Sequence, residues 1–225
     1  GDQYKDSSNL SARIRLHELF STNTYGWLPW VFDHLLDLPE DARILELGCG
    51  PGGLWASNLD RIPSGWNVTL SDLSPGMLEQ ARHSLGDTSR DFDFEVIDAQ
   101  SIPYTEGTFG GVVANHMLYH LPDRAKGIGE IHRVLKPGRR LFAATNGRGS
   151  MRALWDILNT VARSSTDEFN RPARLFSLES GEVELLEIFT SVRVDRREDA
   201  LHVTQVEPVI DYIQSTQREL TAGQL

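Results

Sequence analysis

A short apolar strand running into a cluster of glycines is compatible with few folds. Arg43 to Leu47 reads as the strand; Gly48-Cys49-Gly50-Pro51-Gly52-Gly53 follows, and Leu54 to Leu59 reads as a helix. Gly48, Gly50 and Gly53 satisfy G-x-G-x-x-G in the strand–loop–helix setting where that pattern carries meaning. Glycines there allow a tight turn and let a ligand approach the backbone closely. A bare glycine-rich turn is the plainer alternative.

The rest of the chain repeats the strand–helix alternation. Trp66 to Leu70 reads as a second strand. Pro75 to Leu85 reads as a helix with Ser74 as N-cap and Pro75 at its first position. Phe92 to Ile97, Gly110 to Ala114 and Arg140 to Thr145 read as three more strands, with helices at Arg124 to Leu135 and Met151 to Ala162. Strands joined mostly by helical crossovers predict an α/β fold with a doubly wound, mostly parallel, Rossmann-like sheet. Ahead of it, Leu10, Ile14, His17 and Phe20 share the spacing of one helix face, and Trp30 to Leu36 continues as a second helix. Residues 1–38 are therefore expected as an N-terminal helical lid and 39–225 as the cofactor-binding domain. Residues 164–175 read as a polar loop. Beyond them Glu182 to Phe189 reads as a helix, Ser191 to Arg196 and Leu201 to Gln205 as strands, and Pro208 to Leu220 as a last helix.

Charge narrows the ligand. A dinucleotide brings a pyrophosphate to such a loop and favours bare amides at a helix N-terminus. Here Glu46 stands two residues before the first glycine. Its carboxylate repels pyrophosphate but suits a ligand carrying an ammonium and a sulfonium, as S-adenosylmethionine (SAM) does. Asp72 lies at the end of the second strand, 20 residues after Gly52, at the offset of about 20 where an acid accepts from ribose hydroxyls. Asp98 ends the third strand, where it can accept from an adenine amino group.

Taken in order, ILELGCGPGG, TLSDLSPGML, FEVIDAQSIPY, VVANHMLYHLPD and RVLKPGRRLFAAT resemble the class I SAM-dependent methyltransferases over about residues 41–146. The resemblance implies SAM as cofactor, S-adenosylhomocysteine as product, and a seven-stranded sheet of order 3-2-1-4-5-7-6 with its last strand antiparallel. It implies that Glu46 and the backbone of Gly48, Gly50 and Gly52 hold the methionine moiety, and that Asp72 binds the ribose. Leu73 and Met77 would pack on the adenine, Asp98 and the Ala99 amide would read its edge, and the Asn115 backbone would face the ammonium. Two departures stand out: Arg139 replaces the usual second glycine of Lys-Pro-Gly-Gly, and the sequence ends on a helix where this fold normally ends on strand seven. Either Leu201 to Gln205 supplies that strand or part of the C-terminal region is absent.

Methyl transfer to a hydroxyl or ammonium gains from a general base. The segment after the fourth strand offers His116 and His120 as candidate catalytic residues, since neutral imidazole accepts a proton; the plainer role of each is structural. These histidines have no third ligand at motif spacing, so no metal site is expected. Tyr4, Trp27 and Tyr119 are candidates for substrate binding. Ala114-Asn115-His116-Met117 does not match the Asn/Asp-Pro-Pro-Tyr/Phe motif of enzymes that methylate amino groups of nucleic acids or glutamine. The net charge of −10 and the short basic clusters disfavour nucleic acid. A membrane span is not expected either. A lone Cys49 and a start with no signal-peptide core favour the cytoplasm. The expected activity is methyl transfer from SAM to a small-molecule acceptor; the alternative is a SAM-binding relative or partner subunit that transfers nothing. Oligomeric state is not legible.

Overall fold

The structure is a computed structural model and describes residues 8–162 and 176–222. Its elements are α1 (Ser8–Phe20), α2 (Trp27–Leu35), β1 (Arg43–Leu47), α3 (Gly53–Ala56), β2 (Asn67–Asp72), α4 (Pro75–Leu85), β3 (Phe92–Val96), β4 (Phe109–Asn115), α5 (Arg124–Val134), β5 (Leu135–Ala144), α6 (Arg152–Ala162), α7 (Leu178–Leu186) and α8 (Glu207–Ala222). The strands form one parallel sheet in the order β3-β2-β1-β4-β5. The chain leaves β1 in one direction for β2 and β3, then returns to lay β4 on the other side of β1. This reversal opens a crevice at the carboxyl ends of β1 and β4, where ligands bind in open α/β sheets.

Alternation along the strands builds two cores. Ile44 and Val113 point to the layer holding Phe32, Leu35, Trp55, Trp66, Leu78 and Leu85. Leu45, Leu47, Val112 and Ala114 point to the layer holding Phe109, Leu118, Ile131, Val134 and Phe176. A parallel sheet covered on both faces needs such near-continuous apolar strands. The predicted cap of α4 forms: the Ser74 side chain accepts from the Met77 amide, with Pro75 at the first helical position. Asp123 caps α5 in the same manner.

Two expectations at the flanks change. The two C-terminal strands of a seven-stranded sheet are not found: among the described residues the sheet has five strands, and residues 191–200 join no ladder. Val192 and Val194 keep the alternation that suggested a strand, but Arg193 pairs with Asp195 and Arg197 with Asp199. The backbone at Ala200 and His202 bonds to the α1–α2 junction instead, through an isolated antiparallel bridge between Ser21 and Leu201. The N-terminal helices also divide differently. Val31, Phe32 and Leu35 of α2 are buried in the core of the sheet, whereas α1 packs on α8. Arg13 donates to the Ser215 hydroxyl and carbonyl at 3.2 and 3.1 Å. Trp155 of α6 meets Tyr212 of α8 with ring centroids 6.3 Å apart. No helix among the described residues is long and apolar enough to cross a membrane.

Candidate active site

The glycine loop leaves β1 with Gly48, Gly50 and Gly52 all at positive φ (67°, 53° and 75°), the region that glycine enters without steric cost. Two of them also serve close packing. A Cβ on Gly48 would stand 2.9 Å from the Met117 Cβ, and one on Gly52 would stand 3.1 Å from the Ala81 Cβ of α4. Asp72 fixes the loop from the next strand. One carboxylate oxygen accepts from the Gly50 amide at 3.0 Å and the other from the Ser74 amide at 2.9 Å. Each oxygen retains a further lone pair, so the carboxylate can hold the loop and still accept from two hydroxyls.

Glu46 lies on the β1 face shared with Ile44 and is 3% exposed. Its Oε2 accepts from the Trp55 indole at 2.7 Å, and the Asn115 side chain at the end of β4 also donates to it. Burial pushes its carboxyl up to about 7; the hydrogen bonds from Trp55 and Asn115 oppose this and the charge of Asp72 adds to it. A folded-state value above the unfolded one means that the native state binds the extra proton. Stability without ligand should therefore fall as pH rises from about 4.5 to about 7 and level off above. The loss is about 3 kcal/mol at 1.36 kcal/mol per unit. Urea unfolding of wild type and Glu46→Gln across pH 4.5–8 checks this: the difference between the two curves should carry that slope, and a flat difference would contradict it.

The loop after β4 supplies His116. Its φ of 52° is one of two positive values among described non-glycine residues, and its amide donates to the Ala144 carbonyl at 2.9 Å. The ring lies half-buried beneath Trp27, centroids 5.2 Å apart, with Tyr119 at 6.5 Å. Desolvation, reinforced by repulsion from His17 and His120, lowers its pKa to about 4. The ring is therefore neutral at pH 7 and able to accept a proton. His120 is exposed and its ring meets that of Tyr119 at a tilt, centroids 4.5 Å apart.

The structure thus brings together Glu46, Gly48, Gly50, Asp72, Asn115, His116, Tyr119 and Trp27 around the β1–β4 crevice. Leu73 stands 69% exposed beside Asp72, while Met77 is 2% exposed under the first turn of α4. Of this pair, Leu73 has the open surface. Asp98 is exposed at the end of β3 and accepts from the Gln100 amide and side chain at 2.8 and 3.2 Å; Ala99 next to it is buried. Tyr4 lies outside the described residues. Burial holds the Cys49 thiol far above its ordinary range, with the charges of Glu46 and Asp72 adding to it, which keeps it in the protonated form.

Sequence reasoning missed Trp55 as the partner of Glu46 and His17 as a neighbour of His116. The sole hint of the latter was the spacing of Leu10, Ile14 and His17. That face turns toward the site: a Cβ on Gly50 would lie 3.7 Å from Leu10. Ile14 lines an open groove with Pro51, Gln80 and His83, on the outer side of the loop.

A family profile described as "Methyltransferase domain" matches residues 45–143, the span from β1 to β5. A ubiquinone biosynthesis O-methyltransferase of Xanthomonas oryzae pv. oryzae is 38% identical over 115 residues, covering 50% of this chain and 46% of that protein. A malonyl-[acyl-carrier protein] O-methyltransferase of Geobacter sulfurreducens is 34% identical over 136 residues, covering 59% and 50%. The chain spans about half the length of these curated relatives. The crystal structure of a SAM-dependent methyltransferase from Aquifex aeolicus superposes with a TM-score of 0.59 at 16% identity, covering 84% of this chain and 90% of that one; this likeness speaks to the fold. With the loop, its two carboxylates and the strand order in place, residues 45–143 match a methyltransferase domain, and over its β1–β5 region the chain is similar to SAM-dependent methyltransferases.

Proposed function

We propose that this chain transfers the methyl group of SAM to a hydroxyl of a small molecule, with His116 taking the proton. The observation that carries the reading is the placing of two carboxylates and a neutral imidazole at one crevice. Glu46 and Asp72 flank the positive-φ glycine loop, and His116 faces the same space under Trp27. The residues fit the cofactor's chemistry: a buried carboxylate suits a cationic methionine moiety, and Asp72 has acceptor capacity left for a ribose. When bound, SAM supplies an electrophilic methyl on a sulfonium.

The chain's own groups do the rest. Glu46, tied to Trp55 and Asn115, holds negative charge at the β1 end once its proton is gone. Asp72 fixes the loop and the ribose. His116 accepts the hydroxyl proton on a ring nitrogen as the acceptor oxygen gains its bond to carbon. Trp27 and Tyr119 limit the water around the imidazole, which strengthens the charge interactions there. Orienting the two reactants is worth about 7–11 kcal/mol in favourable cases, so the base is an addition to positioning. The names of the Xanthomonas and Geobacter relatives favour oxygen as acceptor atom; the net charge of −10 favours a small acceptor over nucleic acid. We place α1 as a lid over the loop and assign the chain to the cytoplasm.

The test is titration calorimetry with S-adenosylhomocysteine and with NAD, followed by S-adenosylhomocysteine release from SAM with a panel of phenols, carboxylic acids and amines. The expected result is binding of S-adenosylhomocysteine but not NAD, and turnover on hydroxyl acceptors. Binding with no turnover on any acceptor favours a non-transferring SAM-binding relative; no binding overturns both readings.

A further inference from the structure

Residues 197–202 make a dense set of hydrogen bonds outside the strand ladders of the sheet. The Asp199 carboxylate accepts from the Ser21 hydroxyl at 2.5 Å, the Asn23 amide at 3.1 Å, the Ala200 amide at 2.8 Å and the Arg197 guanidinium at 2.7 Å. Arg197 also donates to the Tyr25 carbonyl at 2.6 Å, and Asn23 donates to the Glu198 carbonyl at 3.0 Å. Backbone bonds run from Thr22 to Ala200 and from His202 to Phe20, each 2.8 Å. The Arg197 and Asp199 side chains are 9% and 19% exposed, although the surrounding segment is open to solvent. Burial by itself raises the Asp199 carboxyl, but the donors from Ser21, Arg197 and Asn23 outweigh it and hold the group well below the usual carboxylate range. It stays ionised, and its bonds stay charge-assisted, across the pH range of ordinary assays.

What this strap holds is the junction between α1 and α2. On one side the junction ends α1, with the Ser21 amide on the His17 carbonyl. On the other it leads through Tyr25 to Trp27, the first residue of α2, whose indole covers His116. Nothing in the β1–β5 sheet touches this junction through a strand ladder. Its position is set by the strap, by α1 on α8, and by the start of α2.

We propose that Asp199 is a positioning residue for the acceptor site: its carboxylate pins residues 21–23 and thereby fixes Trp27 and the last turn of α1 over His116. The role rests on the reading of His116 as the base that faces the acceptor. It makes the C-terminal segment, which forms no strand, a working part of the site. A break in the strap leaves the cofactor loop intact, because Asp72, Glu46 and the glycines are held from β1, β2, α3 and β4. It opens the cover and lets water reach the imidazole.

The test compares wild type with Asp199→Ala in the full chain by amide exchange and by NMR of ¹³C-labelled histidines, using His116→Asn to identify the His116 signal. Titration calorimetry with S-adenosylhomocysteine runs alongside. The expected result is exchange about tenfold or more faster at Thr22, Asn23 and His202, with β1 and β4 protection unchanged. His116 should titrate about one unit or more higher as it is resolvated, and S-adenosylhomocysteine affinity should stay within about twofold. Faster exchange with an unmoved His116 titration would show that the strap only braces the surface and would overturn the proposal, as would unchanged exchange. If Asp199→Ala does not fold, Ser21→Ala removes the 2.5 Å bond to Asp199 and the hydroxyl's 3.3 Å bond to the Asn23 carbonyl, leaves the other donors to Asp199 in place, and is read by the same criteria. Failure to bind S-adenosylhomocysteine in wild type defeats the methyl-transfer reading, whereas the histidine titration tests the strap separately.

Discussion

Asp72→Ala should weaken S-adenosylhomocysteine binding roughly 10²-fold, or about 3 kcal/mol at 1.4 kcal/mol per tenfold. Two hydrogen bonds from ribose hydroxyls to a carboxylate are charge-assisted, each worth ~1.5–3 kcal/mol before solvent compensation. The same substitution removes the acceptors for the Gly50 and Ser74 amides, so the loop loses its tie to β2 before any ligand arrives. Asp72→Asn separates the two effects. It keeps an acceptor for one amide but presents an NH2 where a second acceptor was, and should lie between wild type and alanine. Titration calorimetry gives the affinities, and an unchanged dissociation constant in Asp72→Ala would remove Asp72 from the ribose site.

His116→Asn should lower kcat by ~10²-fold or more with little change in S-adenosylhomocysteine affinity, the range expected when a general base is lost. Asparagine is chosen because it tolerates the left-handed backbone at φ 52° better than most residues, so that loss of the ring is not confused with backbone strain. The pH dependence provides a second reading. With the imidazole lowered to about 4, it is neutral throughout pH 6–8, and the acid limb of kcat should fall below pH 5 instead of near the ordinary histidine value of about 6.5. Single-turnover rates measured from pH 4.5 to 8 check both points. Full activity in His116→Asn would mean that positioning alone drives transfer.

Much of the site was legible because its signals are local. The glycines are needed by a turn only they can make, Ser74 and Pro75 announce a helix start, and Asp72 follows from its distance along the chain. The negative charge that Glu46 places at the loop was readable, but its environment was not. Its pairing with Trp55 depends on α3 folding back over the end of β1, and its raised pKa depends on the surrounding burial. The left-handed backbone at His116 gave no warning in the sequence either, since histidine seldom adopts it.

The flanking segments illustrate the other side. Val192 and Val194 alternate with charged residues as a strand would, and periodicity says nothing about whether a partner edge is within reach. In the fold residues 197–202 bond instead to the α1–α2 junction and build a strap. The face of α1 bearing Leu10, Ile14, His17 and Phe20 was visible as a helical stripe, and Phe20 is buried as that stripe implies, yet the most buried residue of the helix is Leu16, which lies off it; α1 also packs on α8. By itself the sequence determined the five-strand core, the glycine loop and the acids beside it, since strand period, turn chemistry and capping act over a few residues. The tertiary structure alone decided what covers His116 and where the C-terminal segment bonds, since these depend on groups distant in the chain competing for the same hydrogen bonds and buried surface.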